Sequence, residues 1–327
     1  MDRHWLIAWC VALFVCGLMA GGYEWLLHEH GYAITVQDDA DLWSMEYDKL
    51  KSAPNGVALL GASRTEFGID PAQLSRELGR PVAMLPVNGT VPLATLRALS
   101  HDEHFAGLAV VGMDARGLQR KHWEMQQEYI DHYKKRWTLA RRIHRTLLTD
   151  LQERLVLVRS AFSAVNIAER FLNHHGMPLR DHIVVRADRV GFIDYHHPDL
   201  AWTHAARVIG LKEYYRDNPP TPPDEWLADL TVVSGWIERI QRRGGRVVFF
   251  REPESDESLA LDEANFPRDR YWDAYARIAP AMMIDFRDVP TFLTFALPDT
   301  SHIDGSDVPR YTAAFADLLK SRGLARP

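Results

Sequence analysis

Cysteine is nearly absent from this chain. Its 327 residues hold two, Cys10 and Cys16, and both fall inside an apolar stretch at the N-terminus. Everything after residue 23 is therefore without thiol chemistry, a Cys-based metal site or a disulfide. Such a domain is indifferent to an oxidising compartment, which fits export. Positive charge is not in excess either. The 38 Lys and Arg stand against 44 Asp and Glu, a formal net charge of −6, and nothing in that balance points to nucleic acid as a partner. Internal repeats and low-complexity segments are missing. Two histidine pairs, His174-His175 and His196-His197, have neither HExxH spacing nor further ligands, and read as loop residues; no metal and no other cofactor is expected. What remains is ordinary globular composition, 46% hydrophobic and 25% charged, in a chain long enough for a substantial core.

One long hydrophobic run is present. Trp5–Tyr23 is uncharged over 19 residues, long enough to cross a bilayer as a helix, with Trp5, Trp9, Tyr23 and Trp25 placed for the two interfaces. A cleaved secretory signal is the other reading, but no small-x-small cleavage site follows, and Leu13-Phe14-Val15-Cys16 is a poor lipoprotein box. An uncleaved anchor over residues 1–23 is the preferred reading. Arg3 places the N-terminus in the cytoplasm and the rest of the chain in the periplasm or another extracytoplasmic space, tied to the inner (cytoplasmic) membrane by a single pass.

Residues 24–55 read as a polar connector with a helix near 41–51. Its acids Asp38, Asp39 and Asp41 lack the Gly and distal Glu of a calcium loop and read as a solvated face. Residues 56–327 carry an α/β pattern. Short apolar strands are predicted at 57–61, 81–87, 107–112, 246–250 and 281–286. Helices are predicted from Glu66 or Asp70 to Leu78, and at 91–100, 225–243, 271–279 and 308–319. Such alternation predicts a parallel sheet covered on both faces. The pattern is broken by an insertion at about 116–225. Its first part, to about 175, is helical in texture, with Lys134, Lys135, Arg136, Arg141 and Arg142 interleaved with Trp123, Tyr129, Tyr133 and Trp137. Such a helix can touch phospholipid or an anionic polymer, but a solvated face is the preferred reading. Residues 176–225, including Tyr195-His196-His197-Pro198-Asp199, read as irregular. Insertions at this edge of a sheet commonly shape a substrate cleft.

The chemistry-bearing stretch is Val57-Ala58-Leu59-Leu60-Gly61-Ala62-Ser63-Arg64-Thr65. A strand that breaks sharply into a helix presents its turn at the carboxyl edge of the sheet, beside free helix N–H groups. Ser63 there is either a helix cap or a nucleophile whose own N–H helps hold an oxyanion. Far along the chain, Asp299 and His302 lie three apart in a loop before the last helix. A turn can set the carboxylate on Nδ1 of the ring and leave Nε2 facing outward, which is what activating a serine requires.

At these residues the chain resembles the SGNH hydrolase superfamily. More closely, it resembles the membrane-anchored, exported branch that reads Gly-x-Ser-Arg-Thr and includes proteins of alginate-type O-acetylation and teichoic-acid D-alanylation. The resemblance covers residues 57–114 and 246–320. It implies a three-layer α/β/α sandwich with a parallel five-stranded sheet, carrying here a largely helical insertion and an N-terminal transmembrane helix. It implies Ser63 as nucleophile, His302 as base, Asp299 as its orienting partner, and Gly89 with Ser63 as backbone donors to the oxyanion. The third block departs from the pattern. Gly112-Met113-Asp114 stands where the family has Gly-x-Asn, and an ionised Asp cannot donate. Either Asn88 supplies the amide, or the hole has two donors, or the enzyme is weak. Arg64 is either a clamp for an anionic group on the substrate or a structural partner of an acid such as Asp114.

The expected activity is acyl transfer through Ser63, with envelope or exported polysaccharide as substrate and a membrane-bound acyltransferase as possible partner. O-acetyltransferase and acetylesterase use the same residues and are not separated at this level. A catalytically silent glycan-binding or scaffold module is the rival reading.

Overall fold

The computed structural model describes residues 3–197, 200 and 203–325. Pro198 and Asp199 of the Tyr195–Asp199 stretch lie outside the described residues. Helix α1 (Arg3–Glu29) leads through an extended segment to α2 (Ala40–Ser52). The strands and helices β1 (Val57–Leu60), α3 (Ser63–Gly68), α4 (Pro71–Leu78), β2 (Val82–Met84), α5 (Leu93–His101) and β3 (Leu108–Gly112) follow. The insertion supplies α6 (Gln127–Lys135), α7 (Leu139–Gln152), α8 (Ala164–Leu172), a hairpin of β4 (Ile183–Val185) and β5 (Gly191–Ile193), and α9 (Thr203–Asp217). The remaining elements are α10 (Pro223–Arg242), β6 (Arg246–Arg251), α11 (Asp256–Asn265), α12 (Trp272–Ala276), β7 (Met282–Asp285) and α13 (Val308–Ser321).

The central sheet has five strands in the order β2-β1-β3-β6-β7, every pair parallel. Its strands are apolar at successive positions because both faces are covered. Ala58 and Leu60 of β1 face one core, with Trp43 of α2, Leu96 of α5 and Leu230 and Ile237 of α10. Val57 and Leu59 face another, with Leu74 of α4 and Tyr311 and Phe315 of α13. Helix α1 stands apart. It spans 27 residues, about 40 Å at ~1.5 Å per residue against a hydrocarbon core of ~30 Å. It is long and apolar enough to cross a membrane, and its side chains over residues 4–22 are exposed, while Leu27 near its end is buried.

Several expectations are corrected. The helix after β1 does not begin at Glu66 or Asp70. It begins at Ser63, ends at Gly68, and is followed by a second helix that Asp70 caps by accepting from Ala72 and Gln73 N–H at 2.9 and 3.0 Å. The 24–55 stretch is more than a connector, since Trp43 is fully buried and donates Nε1–H to Leu85 O at 2.9 Å. Its acids keep solvent exposure but are also engaged. Asp39 caps α2, Asp38 holds the buried Arg189, and Asp41 accepts from Arg141 and lies 2.6 Å from His132 Nε2. The aromatic residues Trp123, Tyr129, Tyr133 and Trp137 turn inward. Tyr133 O–H and Trp137 Nε1–H both donate to Asp48, and Trp123 is buried against Trp236. Nor is 176–225 irregular, for it contains the β4–β5 hairpin and α9. Three-residue strands are too short to show alternation, and α9 buries only Val208, Leu211 and Tyr215. Helix α11, acidic at both ends, was not anticipated.

Candidate active site

In the strand order the chain steps from β1 outward to β2, then back across β1 to β3. The carboxyl ends of β1 and β3 therefore flank the point where the winding reverses, where a crevice opens in such sheets. Ser63 follows β1, Gly89 follows β2, Asp114 follows β3 and Glu252 follows β6. All four line one cleft of ≈ 250 Å³. The sharp turn out of β1 depends on two glycines. A Cβ on Gly61 would sit 2.0 Å from Thr65 Oγ1, and one on Gly112 would sit 2.3 Å from the same atom. The space they leave admits Thr65, whose hydroxyl donates to Glu252 Oε1 at 2.7 Å and ties the first turn of α3 to the end of β6.

Ser63 is not the helix cap. Ala62 holds that position, and Ser63 is the first residue of α3. Its Oγ lies 2.8 Å from His302 Nε2, and His302 Nδ1 lies 2.7 Å from Asp299 Oδ2. A carboxylate only accepts, so Nδ1 carries the proton and Nε2 presents its lone pair to the Ser63 hydroxyl. The other oxygen of Asp299 accepts from the N–H groups of Ser301 and His302 at 2.9 and 2.7 Å, and the Tyr195 hydroxyl also reaches this carboxylate. These bonds hold Asp299 well below the usual carboxylate range despite its burial. Burial pushes the His302 pKa down. Asp299 opposes that shift, and the Arg207 and Arg64 charges add to it, so the ring is neutral near pH 7. The loop carrying these residues is fastened from below. Thr300 adopts a positive φ of 73°, unusual for a β-branched residue. It is held there by Ser258, its Oγ1 lying 2.5 Å from Ser258 Oγ, and by its carbonyl, which accepts from Ser255 N–H at 3.0 Å.

Gly89, at φ 72°, faces the cleft together with Ser63. Among the described residues no acceptor takes the N–H of either. Asn88 is exposed and does not line the cleft, so its amide is not brought to the site. Asp114 is buried and fully engaged. Its Oδ1 accepts from Gly117 N–H at 2.8 Å, and its Oδ2 accepts from Arg64 at 2.7 Å and Arg116 at 3.1 Å. Arg64 is correspondingly paired, lying 3.1 Å from Glu254 as well as on Asp114. Of its two readings, the structural partnership is the one the geometry displays.

Sequence reasoning missed Arg207, which α9 carries to the cleft wall from the last part of the insertion. The Arg207 guanidinium lies 3.9 Å from Glu254. The same reasoning missed Tyr195 and the acids beneath the cleft. Asp114, Glu254 and Asp262 each place a carboxylate oxygen within 4.8 Å of the others. This trio is not a ready cation site, because Arg64 and Arg116 already reach it. Burial, with the Glu254 and Asp114 charges nearby, pushes Asp262 well above the carboxylate range. Burial also raises Glu252 to about 7, against the pull of Arg64 and Thr65. Among the described residues neither histidine pair joins a cluster of metal-ligating side chains. No protein-family model matches the chain, and no curated protein is a significant match to it.

Proposed function

We propose that the chain is a membrane-anchored, serine-dependent acyl-ester enzyme of SGNH type. In this reading it acts on cell-envelope or exported polysaccharide from the extracytoplasmic side of the inner membrane. The observation that carries the reading is the relay from Ser63 through His302 to Asp299, two contacts of 2.8 and 2.7 Å. The helices on both faces of a five-stranded parallel sheet support the three-layer sandwich that the SGNH resemblance implies. The block Gly61-Ala62-Ser63-Arg64-Thr65 favours the exported, polysaccharide-modifying branch. A cleft walled partly by Tyr214, Met125 and Val91 suits a sugar ring.

In the proposed reaction Ser63 Oγ attacks an ester carbonyl as its proton passes to His302 Nε2. The N–H groups of Ser63 and Gly89 hold the oxyanion, and Asp299 stabilises the imidazolium. The tetrahedral adduct collapses to acyl-Ser63, and the leaving alkoxide takes the proton from His302. His302 then deprotonates the incoming nucleophile, which attacks the acyl carbon and releases Ser63. Water makes the reaction hydrolysis, and a sugar hydroxyl makes it O-acyl transfer. A membrane-bound acyltransferase is the natural source of acyl groups for the second.

The test uses the full chain in detergent with a fluorophosphonate probe and p-nitrophenyl acetate. Wild type is expected to label and turn over, and Ser63→Ala to do neither. Equal signals from the two proteins would remove Ser63 from the chemistry. Adding an oligosaccharide acceptor distinguishes transfer, read as acetylated glycan formed beyond hydrolysis. The engaged Asp114 carboxylate, which leaves the oxyanion two backbone donors, favours one rival: a silent glycan-binding or scaffold module. That rival predicts glycan retention without labelling in wild type.

A further inference from the structure

Helix α7 is turned inside out. Its buried residues are Arg145, Thr149 and Gln152. Arg145 donates to Gln37 O at 2.8 Å and to Asp39 at 3.1 Å, so the face that meets the protein is polar. The outward face carries Leu139, Ile143, Leu147 and Leu151, four residues apart and hence on one stripe. The apolar surface continues through Val165, Phe171, Leu172 and Leu179 on α8 and the loop after it, and these eight side chains are 45–81% exposed. A helix in water presents the opposite pattern.

This surface is fixed to the end of α1. Glu24, near the last turn of α1, accepts from the N–H groups of Val156 and Leu157 at 2.8 and 2.9 Å, in the segment that joins α7 to α8. Leu27 and Tyr32 pack with Val156 and Phe162, and the Tyr32 hydroxyl donates to Pro178 O at 2.6 Å. Wherever α1 leaves a bilayer, the α7–α8 surface is held beside it. Residues 134–182 hold ten Lys and Arg against four Asp and Glu, in a chain whose net charge is −6. Three of these cations, Arg141, Arg142 and Arg145, pair with acids of the α2 region. Lys135 pairs with Asp131 outside the segment as well, and the surplus that is left suits anionic headgroups.

We propose that the outward face of α7, with α8 and the loop to Leu179, docks on the phospholipid surface that surrounds α1. It seats its apolar side chains at the headgroup–acyl boundary, roughly 5–10 Å deep. This rests on the reading of α1 as a membrane-spanning helix. The catalytic cleft is then held in one orientation above the bilayer rather than swinging on a tether.

The test reconstitutes full-length protein in phosphatidylcholine/phosphatidylglycerol nanodiscs with an environment-sensitive fluorophore at single cysteines. Leu147→Cys and Leu172→Cys report on the docking face, and Ile278→Cys, beside the far edge strand β7, reports on water; all three are made in a Cys10→Ala, Cys16→Ala background. The native Cys16, labelled in a Cys10→Ala chain, reports on the anchor. Blue-shifted emission at 147 and 172, quenched by lipids brominated high on the acyl chain while Ile278→Cys stays unshifted, is the expected result. Quenching at Cys16 alone overturns the docking and leaves the anchor standing. A blue shift at 147 and 172 that brominated lipid does not quench also overturns it, in favour of a second copy or another protein on that face. Loss of quenching at Cys16 as well would remove the anchor itself.

Discussion

Replacing Asp114 by Asn separates two accounts of the third strand end. If the residue is a degraded oxyanion donor, restoring the amide should restore a hydrogen bond worth about 2.7–4 kcal/mol to the transition state, a rate gain of about 10²–10³. The geometry argues for the opposite outcome. Asp114 is 4% exposed and accepts from Gly117, Arg64 and Arg116. In the same pose an amide keeps the bond to Gly117 but turns its NH₂ toward two guanidinium groups. Removing one partner of a buried ion pair costs ~3–5 kcal/mol. Here the loss is smaller, because Arg64 keeps the Glu254 carboxylate at 3.1 Å. A cost of about 2–3 kcal/mol follows, or a fall in Tm of about 5–10 °C for a domain of this size.

The assay is thermal unfolding of Asp114→Asn in detergent, read beside p-nitrophenyl acetate hydrolysis at the same pH. Its pH dependence has a definite sign. The Arg116 and Arg64 guanidinium groups hold Asp114 far below the usual carboxylate range. Its contribution is therefore complete above the unfolded value of about 3.9 and is lost as pH falls through that region and below. The gap between wild type and variant should be full at pH 7 and narrow below about pH 4. A variant that is as stable as wild type and hydrolyses ester about tenfold faster or more would refute the reasoning, since it would make the position part of the hole.

Asp299→Asn should leave the fold intact and lower kcat by about 10⁴, because the amide favours the wrong imidazole tautomer; a loss under tenfold would mean that His302 is oriented by something else. With wild type, the acid limb of kcat/KM should fall below the ordinary histidine value of about 6.5, since burial, Arg207 and Arg64 all depress His302. Arg207→Gln removes one of those charges, so the limb should move to higher pH; an unmoved limb would place Arg207 too far away to act on the ring. Gly112→Ala should cost roughly 1–3 kcal/mol, because its Cβ lies 2.3 Å from Thr65 Oγ1 and 2.9 Å from the Glu252 carboxyl group. Adding Thr65→Ala should recover part of that loss in a double-mutant cycle, and strictly additive costs would deny the contact.

What could be read from the residues is what short-range physics dictates. Val57–Leu60, Leu108–Gly112 and Arg246–Arg251 are strands of a two-faced sheet because they are apolar without alternation, and Gly61 and Gly112 stand where the backbone must leave room. Ser63, His302 and Asp299 could be named because the chemistry of acyl transfer needs those groups at strand ends and in a loop, and the structure places them within hydrogen-bonding reach. The charged floor of the cleft could be read only in part. Arg64 and Asp114 stand out beside the first and third strand ends, and their pairing is one of the two readings given for Arg64. Arg116, Glu254 and Asp262 look locally like surface charge, and only the strand order brings them in to be buried. Arg207 was hidden for a related reason, because α9 has few buried residues to mark it as a helix. Helix α7 shows what helical texture leaves open. Amphipathic spacing shows that a helix has two faces, but assigning the apolar one to the core assumes that water lies on the other side. In α7 that assumption fails, since Arg145 and Gln152 bind the polar segment at Gln37 and Asp39, leaving Leu139, Ile143, Leu147 and Leu151 outside. A stripe of that kind is costly in water and stable against lipid, so the inverted helix and the apolar α1 to which it is fastened argue for one environment.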